Sequence, residues 1–218
     1  PGKNFKPFAG RPLFWWILNS LLEVKEIELI VINTDARDYL EHRGLRESER
    51  IQIRDRSETL CGDTVSMNRV LADDISAVPA ETYLMTHTTN PLLRPNTISS
   101  GLDAYKKGLS EGKDSLFAVN QVQTRFYRAD GSPVNHDPNN LIPTQDLEPW
   151  FHENSNLYIF SEESFAKTNA RIGENPLMFE TPHLESVDID DATGWHLAEI
   201  IALSRFIGAS SRDYENQG

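Results

Sequence analysis

Two hydrophobic periods alternate along the chain. In residues 12–23, apolar Leu13, Ile17 and Leu21 recur at helical spacing, with Trp15 and Trp16 widening the stripe and Pro12 at its start, so this segment predicts an amphipathic helix. Residues 27–32 then run almost continuously apolar into Asn33-Thr34-Asp35, as a strand covered on both faces would. A short helix over 36–42 stopped by Gly44, a strand at 51–53 and a helix over 64–74 follow. A strand at 82–86, a helix over 95–109 and a strand over 116–122 extend the alternation. Strand and helix in turn predict right-handed βαβ units, hence an α/β protein with a mostly parallel sheet and helices on both faces.

The pattern breaks over residues 126–150. This stretch holds four prolines and the turn pair Asp130-Gly131, too long for an ordinary loop, and reads as a functional loop or small hairpin insertion. Strand character returns at 157–160, 177–180 and 187–189. A closing helix over 195–207 carries apolar Leu197, Ile200, Ile201, Leu203 and Phe206. No internal repeat or low-complexity segment is visible.

Composition narrows the class. At 218 residues, 39% hydrophobic and 25% charged, the chain fits a single domain spanning 1–218 that needs no disulfide or metal to hold its core. The single cysteine, Cys61, excludes an internal disulfide framework and Cys-rich zinc sites and suits a reducing compartment, so a cytoplasmic location is expected. The longest apolar run, residues 13–18, is far short of the 18 or so residues of a membrane span, and the opening Pro1-Gly2-Lys3-Asn4 has no signal-peptide character. With 21 Lys and Arg against 33 Asp and Glu, the formal charge of −12 weighs against a nucleic-acid polymer as partner. It leaves room for a small anion held by a few local cations and a metal.

The most informative chemistry lies in Ser186-Val187-Asp188-Ile189-Asp190-Asp191. In an extended chain Asp188 and Asp190 project to one side and Val187 and Ile189 to the other. Two carboxylates so placed suit Mg²⁺, which keeps waters and phosphates as its remaining ligands. A solvated strand end with Asp191 capping the next helix fits the same letters. Lys3 and Asn4, after Gly2, offer a phosphate-binding loop or simply a loop; Lys6 and Arg11 either extend a basic edge or are solvated. Arg56 follows a short strand, where an α/β sheet places its ligands, and is either a phosphate or base contact or an ion pair with Glu58 or Asp55. His87-Thr88-Thr89-Asn90-Pro91 ends another strand with short polar residues that either meet a ligand or form a turn.

Several motifs are excluded. Gly108-Leu109-Ser110-Glu111-Gly112 has the letters of a hydrolase nucleophile elbow, but a helix precedes and a strand follows, the reverse of what the elbow requires. No dinucleotide or Walker glycine motif occurs, and the six histidines lack metal-ligand spacing.

Taken in order, these pieces resemble the acylneuraminate (CMP-sialic acid synthetase-like) cytidylyltransferase family. The similarity runs over almost the whole chain. It is carried by PGKN with Gly10-Arg11-Pro12-Leu13, the segment from Arg56 to Asp63, the turn Thr89-Asn90-Pro91-Leu92, the stretch with Gln145-Asp146-Leu147, Asn154 and Tyr158, and the closing Asp188-Ile189-Asp190. The resemblance implies a Rossmann-like nucleotidyltransferase fold. It also implies transfer of CMP from CTP to the anomeric hydroxyl of a 2-keto acid sugar, with Mg²⁺ or Mn²⁺ as cofactor. Lys3, Asn4, Arg56, Ser66 and Thr89 would lie on the nucleotide side, and His87, Gln145, Asn154 and Tyr158 on the sugar side. Asp188 and Asp190 would hold the metal and, with Lys3, form the catalytic set. The family's habit implies a homodimer, with 126–150 as a candidate contact.

Three departures qualify it. The family opens with a strand and a Gly-rich RGGSK loop before PGKN, so this sequence is expected to be short of both. His87 stands where the family has Gln, and Thr144 where Arg is common. Both lie on the sugar side, leaving the acceptor open among N-acetylneuraminate, KDO, legionaminate and pseudaminate. A non-catalytic nucleotide-binding protein on the same scaffold is the competing class.

Overall fold

The computed structural model describes residues 2–62 and 64–215, with side chains up to residue 204. Pro1, Asp63 and the side chain of Phe206, which the sequence reading used, lie outside that description.

After a 3-10 turn at Lys3–Phe5, two short strands, β1 (Pro7–Phe8) and β2 (Arg11–Pro12), pair antiparallel and lead into α1 (Leu13–Glu23). Leu13, Phe14, Ile17 and Leu18 are the buried face of α1, one turn apart as the helical spacing requires. The strand expected at 27–32 begins three residues later, as β3 (Ile30–Thr34), and only Ile30 is buried. Residues 24–27 are instead held as a turn by Arg50, whose guanidinium donates to the carbonyls of Leu22, Val24 and Ile27 at 2.8–2.9 Å. Next come α2 (Arg37–His42), closed at Gly44 with φ +86°, and β4 (Ile51–Asp55), parallel to β3 with Thr34 opposite Asp55.

The helix expected over 64–74 is α3 (Met67–Ala77), with Ser66 in the N-cap position. It is followed by β5 (Tyr83–Met85), α4 (Pro95–Ser110), β6 (Ser115–Val122), β7 (Trp150–Phe160), α5 (Glu162–Thr168), β8 (Pro176–Glu180) and α6 (Ala192–Glu215). The four-stranded sheet has the order β5-β7-β6-β8. β6 and β8 are parallel, and β7 runs antiparallel to both β5 and β6, so three of the four strands point one way. No α-helix separates β6 from β7, and without a crossover the chain returns antiparallel. The 126–150 segment is that return connection, a small hairpin bridging Tyr127 and Pro133 around Gly131 and then irregular chain to a 3-10 turn at Thr144–Asp146.

Helices cover both faces of this sheet. Ile17 and Val24 of the α1 region and Ile98, Leu102 and Tyr105 of α4 pack on Leu116, Ala118, Leu157 and Ile159. On the other face Ile75 of α3 and Phe165 of α5 pack on Met85, Tyr158 and Phe160. Residues 157–160 are therefore buried alternately on both sides, which is why they read as one apolar run. Gly101 permits the close approach of α4, since a Cβ there would sit 2.7 Å from Leu157 Cδ2.

Candidate active site

Three segments distant in sequence cross at one place: the turn at Lys3, the turn at 87–90 and the stretch 186–191. Lys3 Nζ donates to the Ile189 carbonyl, and the Ile189 N–H donates to the Thr89 carbonyl at 2.9 Å. Ile189 is wholly buried against Phe8, Leu13, Leu92, Ala198 and Ala202, with Val187 packed on the same cluster. Val187 and Ile189 thus share the core side as expected, but 187–189 is not a strand. The segment is pinned by these bonds, with no strand partner in any of the sheets of the described residues.

The acids divide by use. Asp191 accepts the Gly194 N–H at 2.8 Å and so caps α6. Asp190 is exposed and lines an open cleft of about 580 Å³ with Lys3, Lys6, Asp191 and Trp195. Asp188 is half-buried, and its Oδ1 is sealed from solvent with no hydrogen-bond partner. Asn90, wholly buried in the adjoining turn, has an amide that is likewise unpaired. Among the described residues no group of three or more His, Cys, Asp or Glu is arranged to hold a metal. An orphaned carboxylate oxygen beside an open carboxylate is instead a partial donor set, which fits a hard cation completed by phosphates and water.

Of the residues expected on the nucleotide side, Asn4 follows Lys3 in the same turn. Arg56 continues β4, its N–H bonded to the Thr34 carbonyl, while Nε and Nη2 donate to the side-chain and main-chain oxygens of Asn33, all at 2.8 Å. Asn33 in turn donates to Asp74, which pairs with Arg54. Of the two ion-pair partners considered for Arg56, Glu58 and Asp55, Asp55 pairs with Arg37 at 2.8 Å, and the guanidinium rests on this amide cradle. Ser66 opens α3, its carbonyl accepting the Arg69 N–H at 3.0 Å.

Among the residues expected on the sugar side, Asn154 and Tyr158 lie on β7, which carries a bulge. Phe117 faces Tyr158 and Val119 faces Glu153, so residues 154–157 stand opposite Ala118 alone, and Ser155 takes a left-handed φ of +56°. The bulge gathers side chains around Tyr158, whose hydroxyl donates to Glu153 and lies 3.3 Å from Ser155 Oγ. Burial and the bond to Glu153 push this phenol up to about 12. Arg171 lies over the Tyr158 ring, 3.9 Å from its centroid, and donates to the hydroxyl at 3.0 Å. Its Nη1 also stands 3.5 Å from His87 Nε2. Burial and the Arg171 charge push His87 below the ordinary imidazole range, against the opposite pull of Asp188.

His87 and Tyr158 are thus brought together, through a residue the sequence reading missed. No periodicity or motif marks Arg171. It arrives on a loop whose N–H groups at Glu174 and Asn175 bind the Asp114 carboxylate at 2.8 and 3.0 Å. Asn154 turns into a buried network instead, donating to Asn120 Oδ1 at 3.0 Å and Thr181 Oγ1 at 2.7 Å. Ser186 joins it through Asn120, at 2.7 Å, so this network fixes the start of the Asp188 segment. Gln145 is exposed in its 3-10 turn, its carbonyl accepting from Gln123 at 3.2 Å.

The architecture is that of nucleotide-handling α/β enzymes. The structure is similar to 4-diphosphocytidyl-2C-methyl-D-erythritol synthase from Anaerococcus prevotii, with a TM-score of 0.64 at 13% identity over 92% of this chain and 93% of that one. It is also similar to a CMP:2-keto-3-deoxy-manno-octonic acid synthetase solved with CTP, with a TM-score of 0.59 at 14% identity over 94% and 92% of the two chains. The chain belongs to the cytidylyltransferase family, whose sequence profile matches residues 1–216. In sequence it is 26% identical over 213 residues to a CMP-N,N'-diacetyllegionaminic acid synthase of Legionella pneumophila, covering 91% of this chain and 88% of the relative. It is 22% identical over 212 residues to a pseudaminic acid cytidylyltransferase of Campylobacter jejuni, covering 92% and 89%. Among the described residues no helix is long and apolar enough to cross a membrane.

Proposed function

We propose that this protein transfers CMP from CTP to the anomeric hydroxyl of a 2-keto acid sugar of the legionaminate or pseudaminate type, releasing pyrophosphate. The observation that carries this reading is the crossing of Lys3, Thr89 and Ile189, beside which Lys3 and Asp190 line one cleft while Asp188, two residues before Asp190, keeps a buried oxygen unpaired. The sugar hydroxyl attacks the α-phosphorus and releases its proton to solvent, the bond to the bridging oxygen breaks, and the electron pair leaves with pyrophosphate. Such a step depends mainly on positioning and charge neutralisation. Lys3 and Asn4 hold the triphosphate, Arg56 and Ser66 the nucleoside side, and Thr89 the turn between nucleotide and sugar. Asp188 and Asp190 would hold Mg²⁺ or Mn²⁺, which offsets phosphate charge and acidifies a bound hydroxyl. His87 and Tyr158 bound the sugar side.

The test is pyrophosphate release from CTP and Mg²⁺ with a panel of N,N'-diacetyllegionaminate, pseudaminate, KDO and N-acetylneuraminate. Release with one or both of the first two is expected. No release with any of the four defeats the reading.

A further inference from the structure

Asn90 is buried without a partner that the fold supplies. It is 0% exposed, and neither the oxygen nor the nitrogen of its amide is hydrogen-bonded. Sealing an unpaired amide from water costs free energy that an aliphatic side chain of the same size would not, so packing alone does not account for this residue. A second polar atom is in the same condition, since Asp188 Oδ1 is sealed and unpaired. The segments that carry the two run against each other at several points. The Ile189 N–H donates to the Thr89 carbonyl at 2.9 Å, and the neighbours of that bond are Asn90 on one segment and Asp188 on the other. Leu92 and Ile189 pack in one buried cluster, and the Asp188 charge acts on His87 at the start of the turn. Carboxylate and amide oxygens both suit Mg²⁺ and Mn²⁺. With neither end of the Asn90 amide committed, nothing in the fold fixes which end is presented, and its oxygen is available as a donor.

We propose that Asn90 is a further ligand of the divalent cation, its side-chain oxygen joining the carboxylates of Asp188 and Asp190. This rests on the metal role proposed above for those two acids. An amide adds an oxygen donor without a third negative charge, so it strengthens the hold on the cation without adding repulsion against the triphosphate.

The experiment follows Mn²⁺ binding to the full chain at saturating CTP by water-proton relaxation, which responds when the ion tumbles with the protein instead of with free nucleotide. The urea midpoint without metal is read beside it. Asn90→Leu, close in volume and without polar atoms, is expected to weaken Mn²⁺ binding by about tenfold or more, the scale on which metal sites lose affinity when one partner is removed. Its metal-free midpoint is expected to equal or exceed that of the wild type, because the unpaired amide is gone. Asn90→Asp, which keeps an oxygen and adds charge, is expected to bind Mn²⁺ at least as tightly as the wild type. Unchanged Mn²⁺ affinity in Asn90→Leu overturns the inference, as does weaker affinity in Asn90→Asp. A lower metal-free midpoint in Asn90→Leu, or failure of that variant to fold, marks the amide as structural and overturns it too. A wild type that binds no Mn²⁺ even with CTP present brings down the metal role of the two acids and this inference with it. A wild type that binds Mn²⁺ while Asn90→Leu binds it equally brings down the inference alone.

Discussion

Asp188, Asp190 and Asp191 lie within four residues of one another and do three different things. Asp191 is consumed as a helix cap, Asp190 faces the cleft, and Asp188 keeps one oxygen buried and unpaired. Because Asp190 is exposed, Asp190→Ala should leave unfolding stability within about 0.5 kcal/mol of the wild type. Turnover should fall by about two orders of magnitude or more if Asp190 helps neutralise the triphosphate. Denaturant melts beside pyrophosphate assays check both halves, and near-normal turnover would remove Asp190 from the site. Asn33 shows the same logic for Arg56, since two of the guanidinium's donors rest on it.

At the scale of elements, the bulge in β7 does the most. It throws Tyr158 and Glu153 toward Arg171 on one face, while Asn154 and Asn156 point into the protein. Asn154 spans β6 and the segment after β8, so it supports the Asp188 stretch from beneath. Asn154→Leu strands buried polar atoms on Asn120 and Thr181, and a loss of about 1–3 kcal/mol is expected, read as a lower urea midpoint. If Asn154 instead bonds the sugar directly, the variant would keep its stability and raise only the KM for the acceptor.

For the whole molecule, the 126–150 excursion is the outlier. It exposes Tyr127, Leu141, Ile142 and Trp150, and Phe151 next to it is exposed too, with Phe126 stacked on Trp150 at 5.2 Å. Exposed apolar side chains commonly mark protein interfaces when they form one patch, which is the form a contact of the homodimer expected from the sequence would take. Leu141→Glu with Ile142→Glu should convert a dimer to a monomer in light scattering, without loss of fold. A wild type that is already monomeric would end that proposal. The net charge of −12 does not argue against the proposed CTP binding, because Lys3 and Lys6 line one cleft and a cation at the acids would add to them.

By itself the sequence determined the alternation of helix and strand, because that follows from local period. Examples are α1 from Leu13, Ile17 and Leu21, and α4 with Pro95 at its start. It also determined which acids alternate with apolar residues around Ile189. Only the tertiary structure decided the direction of β7, since a hairpin and a crossover leave the same short-range pattern in the strand. It turned Asn154 inward, because a bulge shifts side chains off the regular two-residue period. Arg171 was invisible for a related reason. It lies 84 residues from His87, and nothing in a loop's local sequence encodes which turn it will meet. Local patterns set the elements; the partners of each side chain were fixed only when the sheet and its loops came together.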